Sequence, residues 1–292
     1  MRSIVILLLV IFVGLVALVT SLSADAAGKT VINPLAPFKT AYGAFVENRL
    51  DFFQKGDRFE AGATKKDLTP ITSLPLTAIL TDQDLGGVEK PKGIFLAAEI
   101  SRTRFVGALL DEAKFDLATG EDPDFSSARL ALSTFVRANL PRADFSTADL
   151  RSMNATRSTL ENATFLGSDL SGVNFTEARL SNTDFGRSRA PHGRFNLTYA
   201  VGAQFNGADL RASNFEKADL SNAVFTGADI SYARFTNANL SGADFTVALG
   251  ASTAWFEGAC GNDNTKAPDG ITLPSCEQIK EAELHHSTPT SN

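Results

Sequence analysis

A large apolar residue returns at every fifth position over more than half of this 292-residue chain, and that period limits its fold more than any other feature. The alternate members are phenylalanines: Phe95, Phe105, Phe115, Phe125, Phe135, Phe145, Phe165, Phe175, Phe185, Phe195, Phe205, Phe215, Phe225, Phe235 and Phe245, interrupted once by Ala155. Midway between them stand Ile100, Leu110, Leu130, Leu140, Leu150, Leu160, Leu170, Leu180, Leu210, Leu220, Ile230 and Leu240, and two residues before most of these large side chains sits a small one, such as Ala98, Ala138, Ala208 or Ala238. A period of five matches neither the 3.6 of a helix nor the 2.0 of a strand. It does fit a chain that turns by about 90° per quintet, so that four quintets close a square coil and successive coils stack like parallel strands, roughly 4.8 Å apart.

In such a coil the large residue and the small one two before it point inward, because the shaft is too narrow for two bulky groups, and the other three face solvent. The alternation of Phe with Leu or Ile then places phenylalanine on one opposite pair of faces and the aliphatics on the other. Residues 93–259 make about eight coils of an all-β, right-handed, quadrilateral parallel β-helix. A single quintet buries nothing alone, so the repeats form one body.

The quintets Ala208-Asp209-Leu210-Arg211-Ala212, Ala218-Asp219-Leu220-Ser221-Asn222, Ala228-Asp229-Ile230-Ser231-Tyr232 and Ala238-Asn239-Leu240-Ser241-Gly242 resemble the unit of the pentapeptide-repeat family, and exported bacterial members in particular. The resemblance implies the fold strongly and the function hardly at all, since members are mostly binding or scaffold proteins of unrelated roles. The stretch from Cys260 through Thr265-Lys266-Ala267-Pro268-Asp269-Gly270 to Cys276 is also similar to the closing segment of some bacterial members, which implies a capping role for residues 260–292, ending in a polar, disordered tail.

Arg2, the apolar run Ile4–Val19 and the small residues Ala24 and Ala26 read as a signal peptide over 1–26, cleaved between Ala26 and Ala27, or as an uncleaved membrane anchor. Either reading makes the solenoid extracytoplasmic: periplasmic, otherwise secreted, or tethered by the N-terminal segment, which is then its one contact with a membrane. Residues 27–92 form an N-terminal capping region with an amphipathic helix over 39–54, its apolar side carrying Tyr42, Phe45, Val46, Leu50 and Phe53, followed by irregular chain against the first coil. The only cysteines, Cys260 and Cys276, would pair in an oxidising compartment and remain buried thiols in a reducing one.

The net charge of −6 is too mild to indicate a nucleic-acid partner. No grouping of residues suggests a cofactor, a metal site or a catalytic constellation, and His192 is the one histidine inside the repeats. The outward column Arg129, Asp149, Asp169, Arg189, Asp209, Asp229 suggests an ion-pair ladder around Arg189. The period falters at 116–124, where Gly120 and Pro123 suggest an outward bulge bearing Glu121, Asp122 and Asp124, and at 186–200, where Ala190 and Ala200 replace leucines. The second irregularity, read as a further bulge, gathers Arg187, Arg189, His192 and Arg194, the candidate partner surface. The reading is a non-catalytic, extracytoplasmic structural or protein-interaction scaffold with an unidentified protein or cell-envelope partner. Two alternatives stand beside it: a DNA-mimicking, gyrase-binding rod, and an enzyme of unknown class using the arginine-rich stretch.

Overall fold

The computed structural model describes residues 22–24, 30–32 and 78–277. The chain divides into two units, 1–69 and 70–292. In the first, strand β1 (Leu22–Ala24) pairs antiparallel with β2 (Thr30–Ile32), Leu22 opposite Ile32. The expected export segment is otherwise outside the described residues, as are the Ala26–Ala27 cleavage point, the 39–54 helix and the tail beyond 277.

In the second unit the period of five becomes a square coil. Parallel bridges link residues 20 positions apart, from Ile79 with Glu99 to Asp229 with Leu249, and they advance through four columns. We name the faces by those columns. Face A runs Glu99, Thr119, Asn139, Thr159, Arg179, Tyr199, Asp219; face B runs Asp84, Arg104, Asp124, Asp144, Thr164, Asp184, Gln204, Val224, Asp244. Face C runs Glu89, Leu109, Arg129, Asp149, Asp169, Arg189, Asp209, Asp229, Leu249; face D runs Ile94, Lys114, Thr134, Asn154, Asn174, Arg194, Asn214, Arg234, Trp255.

Each quintet is held twice. Between coils the backbone pairs as in a parallel sheet: the Phe205 N–H donates to Val224 C=O at 2.7 Å and the Gln204 N–H to Thr183 C=O at 2.9 Å. At the corner the Ala208 N–H donates back to Phe205 C=O at 3.1 Å, closing a turn whose second central residue, Gly207, has φ 63°. A bond from i+3 to i with positive φ at i+2 is a type II turn. Glycine is comfortable there, yet Leu132, Arg137 and His192 take the same left-handed conformation because their neighbours above and below are already locked in place.

Inside, the phenylalanines form two columns on opposite faces. Within a column rings stack, Phe205 on Phe225 at 4.9 Å and 8°; across the shaft they meet edge to face, Phe205 and Phe215 at 5.6 Å and 85°. Both arrangements suit the ring quadrupole and fill the shaft without sandwiched like charge. Where Ala155 replaces the expected ring, Met153 occupies the small-residue position two before it and is equally buried, so volume moves within the quintet instead of being lost.

Three expectations are corrected. The solenoid is already formed at Ile79, ahead of 93: the Leu80 N–H bonds Glu99 C=O and the Leu85 N–H bonds Arg104 C=O although Gln83 and Lys90 break the sequence pattern. Backbone pairing does not depend on side-chain identity, so this coil follows its neighbour. At 116–124 there is no bulge; Asp124 keeps register with both Arg104 and Asp144. Gly120, at φ 150°, has no room for a Cβ, which would lie 2.5 Å from the Ser101 nitrogen, and Pro123 has no N–H to close the turn, so the corner survives on coil-to-coil bonds alone. Nor is there a bulge at 186–200, where Arg189 pairs with Asp169 and Asp209 in register. Ala190 and Ala200 simply thin the core, and the nearby Phe175–Phe195 pair tilts by 34°.

At the other end a one-turn 3-10 segment, Ala251–Thr253, inserts an extra residue, after which Arg234 pairs with Trp255 and Asn239 with Cys260. Phe256 still stacks on Phe235 at 5.0 Å. The chain then crosses the end of the shaft and returns, with the Cys276 N–H donating to Gly261 C=O and Cys260 disulfide-bonded to Cys276.

Candidate interaction surface

The outward column expected on face C is present. Arg189 reaches Asp169 at 3.5 Å and Asp209 at 3.8 Å, and Arg211, one corner away, holds Asp209 at 2.8 Å and Asp229 at 3.8 Å. The guanidinium of Arg211 donating to Asp209 holds that carboxyl below its ordinary value, and Arg151 does the same to Asp149. A carboxylate held ionised on an open face accepts hydrogen bonds but has no proton to donate, so the ladder has the chemistry of a charged surface and not of an acid–base pair.

A second ladder, not evident from the period alone, climbs the corner between faces A and B. Arg102 grips Asp82 through two bonds of 2.6 and 2.8 Å, and Arg142 grips Asp122 at 2.7 and 3.0 Å and Glu121 at 2.6 Å. The signal was available: Asp82, Arg102, Asp122 and Arg142 are spaced by 20 residues with alternating sign. The acidic residues of the supposed bulge are thus tied to the neighbouring coil.

Arg187, Arg189, His192 and Arg194 all lie exposed on one coil. Arg187 is at the corner between faces B and C, Arg189 on C, His192 at the corner between C and D, and Arg194 on D, so the lattice spreads them around the rod as a girdle instead of gathering them on one plane. Arg179 on face A extends the girdle, held by Glu161 at 2.8 Å and lying over the Tyr199 ring at 5.4 Å. Among the described residues Arg189 is ion-paired, whereas Arg187, His192 and Arg194 have no charged partner. Among the described residues no group of His, Cys, Asp or Glu is placed to hold a metal ion.

The model for pentapeptide repeats matches the chain in eight copies, over residues 124–162, 156–189 and 203–246. The chain carries pentapeptide repeats over these residues. Solved structures carry the same repeat. A trypsin-treated form of QnrB1, a plasmid-mediated fluoroquinolone resistance protein, is similar over 74% of this pentapeptide-repeat chain and 99% of its own, with 16% identity and a TM-score of 0.54. HetL, involved in heterocyst differentiation regulation in the cyanobacterium Nostoc sp. strain PCC 7120, is 27% identical over 65% of this chain and 90% of its own, with a TM-score of 0.46. No curated protein matches the pentapeptide-repeat chain significantly in sequence. At 16% identity the likeness to QnrB1 is one of fold.

Proposed function

We propose that this protein is a non-catalytic, extracytoplasmic scaffold that presents a rigid four-sided prism to a protein or cell-envelope partner through the girdle of Arg187, Arg189, His192 and Arg194. The observation that carries the reading is that Arg187 and Arg194 are exposed cations without a partner on a rod whose other arginines are mostly paired. An exposed cation with no charged partner among the described residues is available to an incoming carboxylate or phosphate. Export is supported by the apolar run after Arg2 and by the Cys260–Cys276 bond, which persists in an oxidising compartment.

The duplex-mimic alternative is disfavoured by the surface itself. A rod that imitates DNA must be negative all round, whereas face D carries no carboxylate from Ile94 to Trp255. Fractionation of native cells with intact mass of the recovered chain tests the proposal. A soluble extracytoplasmic product beginning at Ala27 and two mass units light supports it; a full-length cytoplasmic chain with free thiols contradicts it.

A further inference from the structure

Where aspartate or asparagine stands just before an inward large residue, it mostly does the same backbone task on every face. Its Oδ1 accepts the N–H two residues on: Asp169 from Ser171 at 3.0 Å and Asp229 from Ser231 at 3.0 Å on face C, Asp144 from Ser146 at 2.8 Å and Asp184 from Gly186 at 2.7 Å on face B. On face D asparagines make the identical bond, Asn154 from Thr156 at 3.2 Å, Asn174 from Thr176 at 3.0 Å and Asn214 from Glu216 at 2.9 Å. Aspartate and asparagine therefore serve the fold equally, and differ only in the atom left facing outward. Aspartate leaves a carboxylate oxygen; asparagine, its oxygen occupied, leaves an NH₂ donor.

Faces B and C use aspartate at these turns, and face D uses asparagine at all three. Lys114, Arg194 and Arg234 extend the same column, Arg234 also reaching Glu216 at 3.8 Å, so face D presents a row of amide, ammonium and guanidinium donors, with coils roughly 4.8 Å apart. We infer that face D binds a linear, carboxylate-bearing polysaccharide laid along the prism axis. The row is one column wide. At its borders charges of both signs stand together, Glu112 with Lys92 on one corner and Glu177 with Arg157 on the other, so the unmixed donor row is only as wide as a single extended chain. Single-stranded nucleic acid is disfavoured because its affinity comes largely from bases stacking on aromatics, and the phenylalanines of this column all point into the shaft. Amide donors suit both the hydroxyls and the carboxylates of an acidic sugar, and the half-exposed Trp255 ring at the end of the column offers a flat apolar surface to a pyranose. The surface shares only Arg194 with the girdle, so the two proposals fail separately.

The test is binding of the full chain to polygalacturonate by titration calorimetry, with poly-dT and anionic phospholipid vesicles in parallel. The triple variant N154D/N174D/N214D keeps the three turn bonds and changes only the outward atoms, so its melting temperature stays within a few degrees of the parent. The expected result is a loss of affinity for polygalacturonate of at least tenfold in that variant, and no loss in the opposite control D144N/D184N on face B. Absence of polygalacturonate binding, binding that the triple variant retains, or tighter binding to poly-dT or vesicles overturns the inference.

Discussion

The shaft from Ala203 to Phe245 and the stretch from Met153 to Ala200 are built on the same coil-to-coil hydrogen bonds, yet they fill their interiors differently. In the first, stacked pairs stay within 8° of parallel and aliphatics alternate with rings without a gap. In the second, a ring is replaced by Ala155 with Met153 beside it, two leucines are replaced by Ala190 and Ala200, and the Phe175–Phe195 pair leans. Register does not change between them. The difference teaches that backbone pairing sets the geometry of this solenoid and core volume sets its stability. Side-chain volume is thus free to vary where the backbone lattice continues above and below, and the thinner coil is also the one bearing the arginine girdle.

The largest expected effect breaks the regular region. Phe205 is fully buried between Phe185 at 4.8 Å and Phe225 at 4.9 Å. Phe205→Ala should lower unfolding free energy in urea by about 3–5 kcal/mol, because the rigid neighbouring coils cannot collapse into the gap. Next, Ala155→Phe in the thinner region should cost about 1–3 kcal/mol while Met153 remains, and the double variant with Met153→Ala should return to within about 1.5 kcal/mol of the parent, since volume is then conserved. A cost of the single change that the second does not relieve would show that the two sites do not share one space.

The smallest effect concerns the last coil of the regular region, where the Lys266 ammonium bonds Asp244 at 2.7 Å and, with Thr246, lowers its pKa to about 2. The folded value is below the ordinary one of 3.8, so the contribution is present above that pH and is lost as pH falls through about 2. Lys266 is largely exposed, which limits the pair to roughly 0.2–1 kcal/mol. The difference in melting temperature between the parent and Asp244→Asn should be measurable at pH 6 and vanish near pH 2.

Most of the solenoid was legible because the interior repeats with period five and tolerates few residue types. The coil that includes Ile79 was not, because Gln83 and Lys90 break the side-chain pattern while the backbone still pairs with the next coil. The supposed bulges misled for a related reason. Gly120, Pro123, Ala190 and Ala200 break the pattern of side chains, but a missing side chain or a missing turn bond does not break a coil clamped between two others. The arginine girdle was found as a group of residues close in sequence; its distribution over three faces and the donor row of face D emerge only when residues 20 apart are read as neighbours.

The measurement that tests the central claim most directly is a cysteine scan through one quintet of the regular shaft, at 204, 205, 206, 207 and 208, with a maleimide probe under native conditions. Labelling should be slow at Phe205 and Ala208, which face inward, and fast at Gln204, Asn206 and Gly207, with the same alternation when the scan is repeated 20 residues on, at 224–228. Labelling that is uniform through the quintet, or that follows a period other than five, would contradict the four-sided prism on which every surface described above depends.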